Sequence, residues 1–167
     1  TQAQRAFELL VPDSLNRIFV EVKSKGFMPI TETIVMDNGL LERSYYLMPL
    51  EVGTTIKLDK IYFEKGTASL IDSSYMELNK VADVMLENQS MVIQLSGHTD
   101  NQGDARKNLE LSQQRVELVK EYLVNRGVSA DRISGKGFGG SRPIASNASE
   151  ETRRLNRRVE FEILSSN

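Results

Sequence analysis

In residues 17–23, β-branched side chains recur at every second position, 18, 20 and 22, and so share one face, which is typical of a β-strand with one buried face. Similar stretches follow, separated by glycine, proline and asparagine residues that favour turns. The pattern predicts strands at 17–23, 30–36 and 45–49, with turns at 25–29 and 37–39. A few strands without helices rarely bury enough apolar surface to be stable alone. We therefore interpret residues 1–50 as a β-rich segment, either the remnant of a β-sandwich or an appendage packed on the following domain.

From about residue 51 the pattern changes to strands that alternate with helices. The helices are indicated by apolar residues that recur every three or four positions, by Asp72 or Ser73 as an N-cap and by Gly127 as a C-terminal stop. The predicted elements are a strand at 56–63, a helix from 72 or 73 to 87, a strand at 91–97, a helix at 106–126, a strand at 132–138 and a last strand at 156–164. This strand-helix-strand-helix-strand order with a last C-terminal strand predicts an α+β fold for residues 51–167, with helices packed on a mixed β-sheet.

Composition and charge restrict the class of function. The 167 residues suit one mid-sized domain, alone or with a smaller one, and the net charge of −2 argues against nucleic-acid binding. With no cysteine and a single histidine, His98, the sequence offers neither thiolate ligands nor a set of histidines for a metal ion. No apolar run approaches the roughly 18 residues of a membrane helix. Because neither a signal peptide nor a lipidation cysteine is present at Thr1, we expect any membrane tether to lie outside this sequence.

A polar loop at 97–103 and an arginine on the next predicted helix are the strongest candidates for a ligand site. Ligands of α/β sheets commonly bind where strands end and helices begin, and this loop follows a predicted strand. Asp100 in the loop can bind a ligand, or it can serve only as a turn or cap residue. Arg115 lies at the edge of the apolar stripe of its helix, where a guanidinium requires acceptors.

Two interpretations of these charged residues remain open. Arg115 can pair internally, either with Asp100 or with a backbone carbonyl. Alternatively, Asp100 and Arg115 flank a pocket for a zwitterion. In that case the carboxylate accepts hydrogen bonds from an ammonium group, and the guanidinium binds a carboxylate through two parallel hydrogen bonds.

The remaining polar residues indicate no chemistry of their own. We interpret His98 as a loop histidine with satisfied hydrogen bonds, because no second histidine exists. A serine triad that uses His98 and Asp100 is disfavoured, since neighbours two positions apart point to opposite sides. The arginine-rich segment 153–158 is interpreted as a solvated face with Glu150 and Glu151 as partners. The sequence therefore predicts a protein that is not an enzyme and holds no cofactor or metal.

Five segments, in the same order along the chain, resemble the OmpA-like C-terminal family of peptidoglycan-binding domains. They are residues 61–64, 97–103, 108–115, 132–139 and 156–160. The resemblance extends from about residue 56 to about residue 164. It implies that the chain lies in the periplasm and binds the meso-diaminopimelate of uncrosslinked peptidoglycan stem peptides. Such binding anchors an outer-membrane or secretion-related assembly to the cell wall.

The resemblance also implies which residues form the ligand site. In the family, the residues that match Asp100 and Arg115 hold the amino-acid head of diaminopimelate. The other positions implied in the pocket are Asn108, Arg157, Thr99 and Asn101. The chain departs from the family where an aromatic–Asp pattern often continues the first strand, because Gly66 here removes a side chain that can contact the ligand.

Residues 1–50 are similar, more loosely, to the end of a carboxypeptidase-regulatory-like β-sandwich. Such a domain before an OmpA-like domain resembles envelope proteins of the Bacteroidetes group, some of which serve secretion machines.

Two other functions stay open. An amidase or peptidase acting on the same stem peptides requires a zinc site or a nucleophile, and the lack of cysteine counts against it. A protein-interaction module of an envelope complex, with weak or vestigial peptidoglycan binding, would use segment 153–158 to dock an acidic partner.

Overall fold

The chain folds into two units that divide between Leu47 and Met48. The computed structural model describes residues 16–36, 42–58, 61–64 and 66–166. In the first unit, strands β1 (Arg17–Val22) and β2 (Ile30–Val35) form an antiparallel pair. Both strands were predicted, and both are confirmed.

The third predicted strand of the first unit, at 45–49, is wrong. Residues 42–48 adopt no regular structure, because no neighbouring strand pairs with them in the described part of this unit and Pro49 has no N–H to donate. Tyr45 instead holds the segment on β2, since its hydroxyl donates to Oε2 of Glu32 over 2.7 Å. The turn predicted at 37–39 lies outside the described residues. That residues 1–50 are the remnant of a β-sandwich stays a prediction.

The second unit contains a mixed sheet and helices. Its elements are β3 (Thr55–Lys57), α1 (Ser74–Glu87), β4 (Val92–Gly97), α2 (Ala105–Asn125), β5 (Ile133–Gly137), α3 (Glu150–Asn156) and β6 (Val159–Ser165). In the described residues the strand order is β3-β6-β4-β5, with β5 parallel to β4 and β6 antiparallel to both of its neighbours. The predicted α+β fold with a mixed sheet is confirmed.

One core holds the sheet and the two long helices together. Side chains that alternate along the central strands are buried, as are those that recur every three or four positions on the helices. These side chains are Ile93, Leu95, Val159, Phe161 and Ile163 on the strands, and Leu78, Val81, Met85, Val116, Val119 and Leu123 on the helices. No helix in the described part of the chain is both long and apolar enough to cross a membrane.

Glycines at the ends of β4 and β5 let α2 lie directly on the sheet. A Cβ atom on Gly97 would lie 2.5 Å from the carbonyl oxygen of Ser112, and one on Gly137 would lie 2.5 Å from the backbone nitrogen of Gln113. Both distances are well below the separation of about 3.5 Å at which non-bonded atoms attract. Any other residue would therefore push the helix away. The close packing fixes the first half of α2, including Arg115, beside the C-terminal ends of the two strands.

The first strand of this unit is shorter than predicted. Only Thr55–Lys57 pairs with β6, whereas the pattern predicted a strand over 56–63. By Tyr62 the chain has left the sheet, because the backbone of this residue bonds to helix α1 instead. The Tyr62 N–H donates to Oγ of Ser74 over 2.8 Å, and the same hydroxyl donates to the Tyr62 carbonyl over 2.9 Å. A buried hydroxyl at the helix start thus replaces a strand partner.

Helix α3 was missed by the prediction, which placed a strand from residue 156. The structure has a helix at Glu150–Asn156 and begins β6 at Val159. The sequence carries a start signal for this helix, a capping box in which the side chains of Ser149 and Thr152 bond to each other's backbone N–H. A seven-residue helix with two arginines and a single leucine has no apolar stripe, so no period of apolar positions predicts it.

Candidate functional site

The loop after β4 is held at the C-terminal edge of the sheet by bonds to two other chain segments. The backbone N–H of His98 donates to the carbonyl of Arg158 over 2.9 Å, and that of Thr99 donates to the carbonyl of Gly139 over 2.9 Å. These bonds tie the loop to the start of β6 and to the turn after β5. As a result, Thr99 and Asp100 are buried even though they lie in a polar loop.

Asp100 is both a turn residue and the partner of an arginine. Its Oδ1 accepts from the backbone N–H of Gln102 over 3.0 Å, as in the turn interpretation. Its Oδ2 accepts from Nη1 of Arg157 over 2.8 Å, and Nη2 of the same arginine donates to Oε1 of Glu150 over 2.5 Å. The hydrogen bonds to Glu150 and then to Asp100 raise the pKa of Arg157. Arg157 is therefore shared between two carboxylates.

Arg115 is buried on α2, with only 6% of its surface exposed, and its partners are a carbonyl and an aromatic ring. Its Nε donates to the carbonyl of Thr67 over 3.0 Å, and its guanidinium carbon lies 4.6 Å from the centre of the Phe63 ring. Within the described residues, Nη1 and Nη2 make no hydrogen bond and no carboxylate forms an ion pair with this arginine. Of the two internal pairs considered, the structure contains the one with a backbone carbonyl and not the one with Asp100.

The electrostatics of the site come from the two arginines and Asp100. Burial lowers the pKa of Arg115, the charge of Arg157 lowers it further, and the charge of Asp100 partly offsets both. An arginine in a protein nevertheless keeps its charge at neutral pH. The site therefore presents an incompletely bonded guanidinium beside a carboxylate that already has a partner. Chemically, this arrangement can bind a carboxylate at Arg115, and it can bind an ammonium group at Asp100 when Arg157 turns towards Glu150.

The other predicted site residues lie around the same loop. The Oγ1 of Thr99 donates to the carbonyl of Asp100 over 2.8 Å, and Nδ2 of Asn108 donates to the carbonyl of Gln102 over 2.8 Å. Asn101 is exposed, and its backbone N–H donates to Oδ1 of Asn147 over 3.3 Å. The side chains of Thr99 and Asn108 thus bond to loop backbone. That these residues contact a ligand stays a prediction.

The prediction of a solvated face over 153–158 is wrong in part. Arg158 is buried, and its Nε donates to Oε2 of Glu160 over 2.9 Å. Arg157 stays exposed, but it pairs with Asp100 of the loop. The physical reason is that α3 ends within this segment, so the residues after it turn inward to begin β6. The predicted partnership with Glu150 is confirmed, because this carboxylate pairs with Arg157 and with Arg153.

Residues that were not predicted as site residues also hold the site in place. Phe63 and Thr67 contact Arg115 from a segment about 50 positions earlier in the chain. Asn156 is fully buried, and its Oδ1 accepts from the backbone N–H groups of Ile144 and Ala145. No local pattern could have identified these contacts. Among the residues that the structure describes, no cluster of three or more histidine and acidic side chains could hold a metal ion.

His98 is less well satisfied than the sequence predicted. It is buried with its ring stacked on Phe138, at 5.4 Å between ring centres. Its Nε2 lies 3.2 Å from Oε1 of Glu160, but the angles do not suit a hydrogen bond. Neither ring nitrogen therefore makes a well-formed hydrogen bond. Burial lowers the pKa of His98 and the charge of Arg158 lowers it further, whereas Glu160 partly offsets these effects. The imidazole is therefore neutral in the folded protein at neutral pH.

We expect His98 to make the protein less stable in mild acid. Below the ordinary histidine pKa of 6.5, the unfolded chain takes up a proton that the folded chain resists. The free energy of unfolding is thus fully retained above that pH and decreases as the pH falls through 6.5 towards the lowered folded value. The free energy of unfolding can be measured with urea at about pH 7.5 and about pH 5.5. Between these pH values it should decrease more for the native protein than for His98→Gln. An equal loss in the two proteins would contradict this role of His98.

A shallow groove lies elsewhere on α2. It has a volume of about 680 Å³ and is lined by Ala68, Ser69, Glu110, Gln113, Gln114, Glu117, Leu118 and Glu121. Its charged lining residues are all glutamates, so it repels a carboxylate ligand. The site around Asp100 and Arg115 is the better candidate for a zwitterion.

Comparison with known proteins finds relatives in the bacterial envelope. The chain is 46% identical over 101 residues to the peptidoglycan-binding protein ArfA of Mycobacterium tuberculosis, a match that covers 60% of this chain and 31% of the relative. It is 38% identical over 116 residues to outer membrane porin F of Pseudomonas fluorescens, covering 69% of this chain and 35% of that protein. The chain thus spans about a third of the length of these relatives.

A solved structure has a similar fold, and a family model covers the site. The cell wall anchor of the T6SS from Pseudomonas aeruginosa matches with a TM-score of 0.58 and 33% identity, over 66% of this chain and 79% of that chain. The model of the OmpA family matches residues 62–157, which include Asp100, Arg115 and Arg157. The family predicted from the five sequence segments is confirmed: the chain belongs to the OmpA family.

Proposed function

We propose that residues 48–167 bind peptidoglycan non-covalently, through the meso-diaminopimelate of uncrosslinked stem peptides. The observation that carries the proposal is the charge arrangement of the site. Arg115 is buried with Nη1 and Nη2 lacking partners among the described residues, and Asp100 is close enough to influence its pKa. The two Nη groups are not sealed from solvent and offer two parallel donors, so a ligand carboxylate is the natural complement of this site.

The free end of diaminopimelate is an amino-acid head, with an ammonium and a carboxylate group on one carbon. In the proposed complex the carboxylate binds Nη1 and Nη2 of Arg115, and the ammonium group donates to Asp100. Arg157 releases Asp100 and remains with Glu150, which already holds its Nη2. Each charge-assisted hydrogen bond contributes about 1.5–3 kcal/mol, so two or three such bonds are enough for specific recognition of a small head group.

The remaining predicted site residues have supporting roles in this proposal. Thr99 and Asn108 already bond to the backbone of the loop, so they fix the position of Asp100. Asn101 is exposed at the rim, where its side chain can contact the stem peptide. The ligand is therefore recognised by Asp100, Arg115 and Arg157 on a loop that Thr99 and Asn108 hold in shape.

The wider role that we propose is to anchor an outer-membrane or secretion-related assembly to the cell wall, in the periplasm. The relatives support it, since they include a peptidoglycan-binding protein, an outer membrane porin and the cell wall anchor of a secretion system. We propose no catalytic activity, because the site offers two arginines and a carboxylate that pairs with one of them. Among the described residues, no group of histidine and acidic side chains could hold the metal ion of a zinc hydrolase.

The alternative of a protein-interaction module finds less support in the structure. It rests on an arginine cluster free to dock an acidic partner, but three of these arginines are paired internally. Arg153 binds Glu150, Arg157 binds Asp100 and Arg158 binds Glu160. Internally neutralised arginines attract an acidic partner less strongly.

The proposed function is tested by sedimentation with purified sacculi, comparing the full chain with residues 48–167. We expect both to sediment with sacculi to the same extent, because every proposed site residue lies in the second unit. The soluble fraction should contain no released peptidoglycan fragments, which distinguishes a binding protein from an amidase or peptidase. A full chain that stays in the supernatant would contradict the proposal. Loss of binding only in a folded 48–167 fragment would mean that the first unit contributes to the site.

A further inference from the structure

Residues 63, 64 and 66–70 form a turn that is a fixed platform beside Arg115. An isolated antiparallel bridge joins Phe63 to Leu70, and the backbone N–H of Glu64 donates to the carbonyl of Ser69 over 2.9 Å. Inside the turn, the backbone N–H of Thr67 donates to the carbonyl of Glu64 over 3.1 Å. These bonds give the ring of Phe63 and the carbonyl of Thr67 defined positions relative to α2.

Gly66 allows the turn to adopt this shape. Its φ angle is +75°, in the left-handed region that other residues rarely adopt, and a Cβ at this position would meet no atom within 4 Å. The glycine is thus required by backbone conformation and not by lack of space. It places the carbonyl of Thr67 where Nε of Arg115 can donate to it. The glycine at which the chain departs from the family pattern therefore allows the turn whose carbonyl accepts from Arg115.

The Thr67 carbonyl restricts how Arg115 can bind a carboxylate. A guanidinium can bind a carboxylate side-on through Nε and one Nη group, or end-on through its two Nη groups. The single hydrogen of Nε is already donated to Thr67, so only the end-on geometry remains. The Phe63 ring lies 4.6 Å from the guanidinium carbon and favours one orientation of the guanidinium plane through a cation–π contact.

We propose that Phe63 is a positioning residue for Arg115, and that the ring and the Thr67 carbonyl together select ligands that present a carboxylate end-on. This inference rests on the proposed function, because the ligand carboxylate is that of diaminopimelate. Phe63 does not bind the ligand itself. It keeps the guanidinium oriented, so its loss should affect only ligands that carry the carboxylate.

The test compares affinities for two matched tripeptides, one ending in meso-diaminopimelate and one ending in lysine, which lacks the second carboxylate. In Phe63→Leu, which keeps an apolar side chain but removes the ring, affinity for the diaminopimelate tripeptide should fall about 5- to 30-fold, the equivalent of a cation–π contact. Affinity for the lysine tripeptide should remain nearly unchanged. Phe63→Tyr should restore the discrimination because it restores a ring.

A matched control is Tyr62→Leu, which removes the neighbouring exposed aromatic residue and no contact to Arg115 that the structure shows. Circular dichroism checks that each variant is folded. If Phe63→Leu discriminates between the tripeptides as well as the native protein does, the positioning role is wrong and the proposed function stands. If the native protein itself binds both equally or binds neither, the proposed function fails, and this inference fails with it.

Discussion

Replacing Asp100 or Arg115 with alanine is expected to weaken binding of the diaminopimelate stem peptide at least tenfold. Each substitution removes one or more charge-assisted hydrogen bonds, worth about 1.5–3 kcal/mol apiece. For Arg115→Ala the loss is greater still if the ligand carboxylate then lacks any partner in the buried site. Sedimentation with sacculi and calorimetry with the tripeptide measure both effects.

The double variant should lose less than the sum of the two single losses, since both side chains hold one small head group. Arg115→Lys should also bind poorly, because an ammonium group cannot offer two parallel donors to a carboxylate. Arg106→Ala is the matched control, as Arg106 lies exposed on the same helix and pairs only with Glu110 in the described residues. If both alanine variants sediment with sacculi like the native protein, the site lies elsewhere.

A stem peptide ending in lysine should bind roughly 30- to 150-fold more weakly than one ending in meso-diaminopimelate, which corresponds to about 2–3 kcal/mol. Lysine still offers its ammonium group to Asp100, but it leaves the Nη groups of Arg115 facing a partly desolvated space without an acceptor. Sites built to pair a polar group reject ligands that lack it, because their own group stays unsatisfied.

Calorimetry with the two tripeptides, both against the native protein, measures this ratio directly. Affinity for a single stem should be modest in either case, and retention at the wall depends on many stems and many anchored copies. The ratio of the two affinities is therefore more informative than either value. Equal affinities would mean that Arg115 does not contact the second carboxylate.

The strand and helix order of the second unit could be predicted because apolar residues recur with clear periods in most of its elements. In β6, buried Val159, Phe161 and Ile163 alternate with polar residues, and this alternation alone indicates a strand. Helix α3 could not be found in this way, since it is short and carries no apolar stripe. The length of the strand predicted over 56–63 was overestimated for a different reason. Ile56, Leu58 and Ile61 are buried as in a strand, but the backbone of Tyr62 bonds to the hydroxyl of Ser74 and not to a neighbouring strand.

The family resemblance named candidate residues for the site, whose contacts with a ligand stay predictions, but it did not give their pairing. The family resemblance brought Asp100, Arg115 and Arg157 together, and the structure places them within electrostatic range of one another. Which arginine pairs with Asp100 depends on contacts across the fold. The bond between Asp100 and Arg157 spans 57 positions, and that between Arg115 and Thr67 spans 48. Local patterns carry no information about such contacts, which depend on how the loop after β4 is tied to the start of β6 and how α2 packs on the sheet.

A structure of residues 48–167 with the meso-diaminopimelate tripeptide tests the central claim most directly. We expect the second carboxylate of the ligand to lie within hydrogen-bond distance of Nη1 and Nη2 of Arg115. Its ammonium group should contact Asp100, with Arg157 moved from Asp100 to Glu150. A ligand bound instead in the glutamate-lined groove on α2, or one that leaves the pair between Asp100 and Arg157 intact and makes no contact with Arg115, would contradict this account.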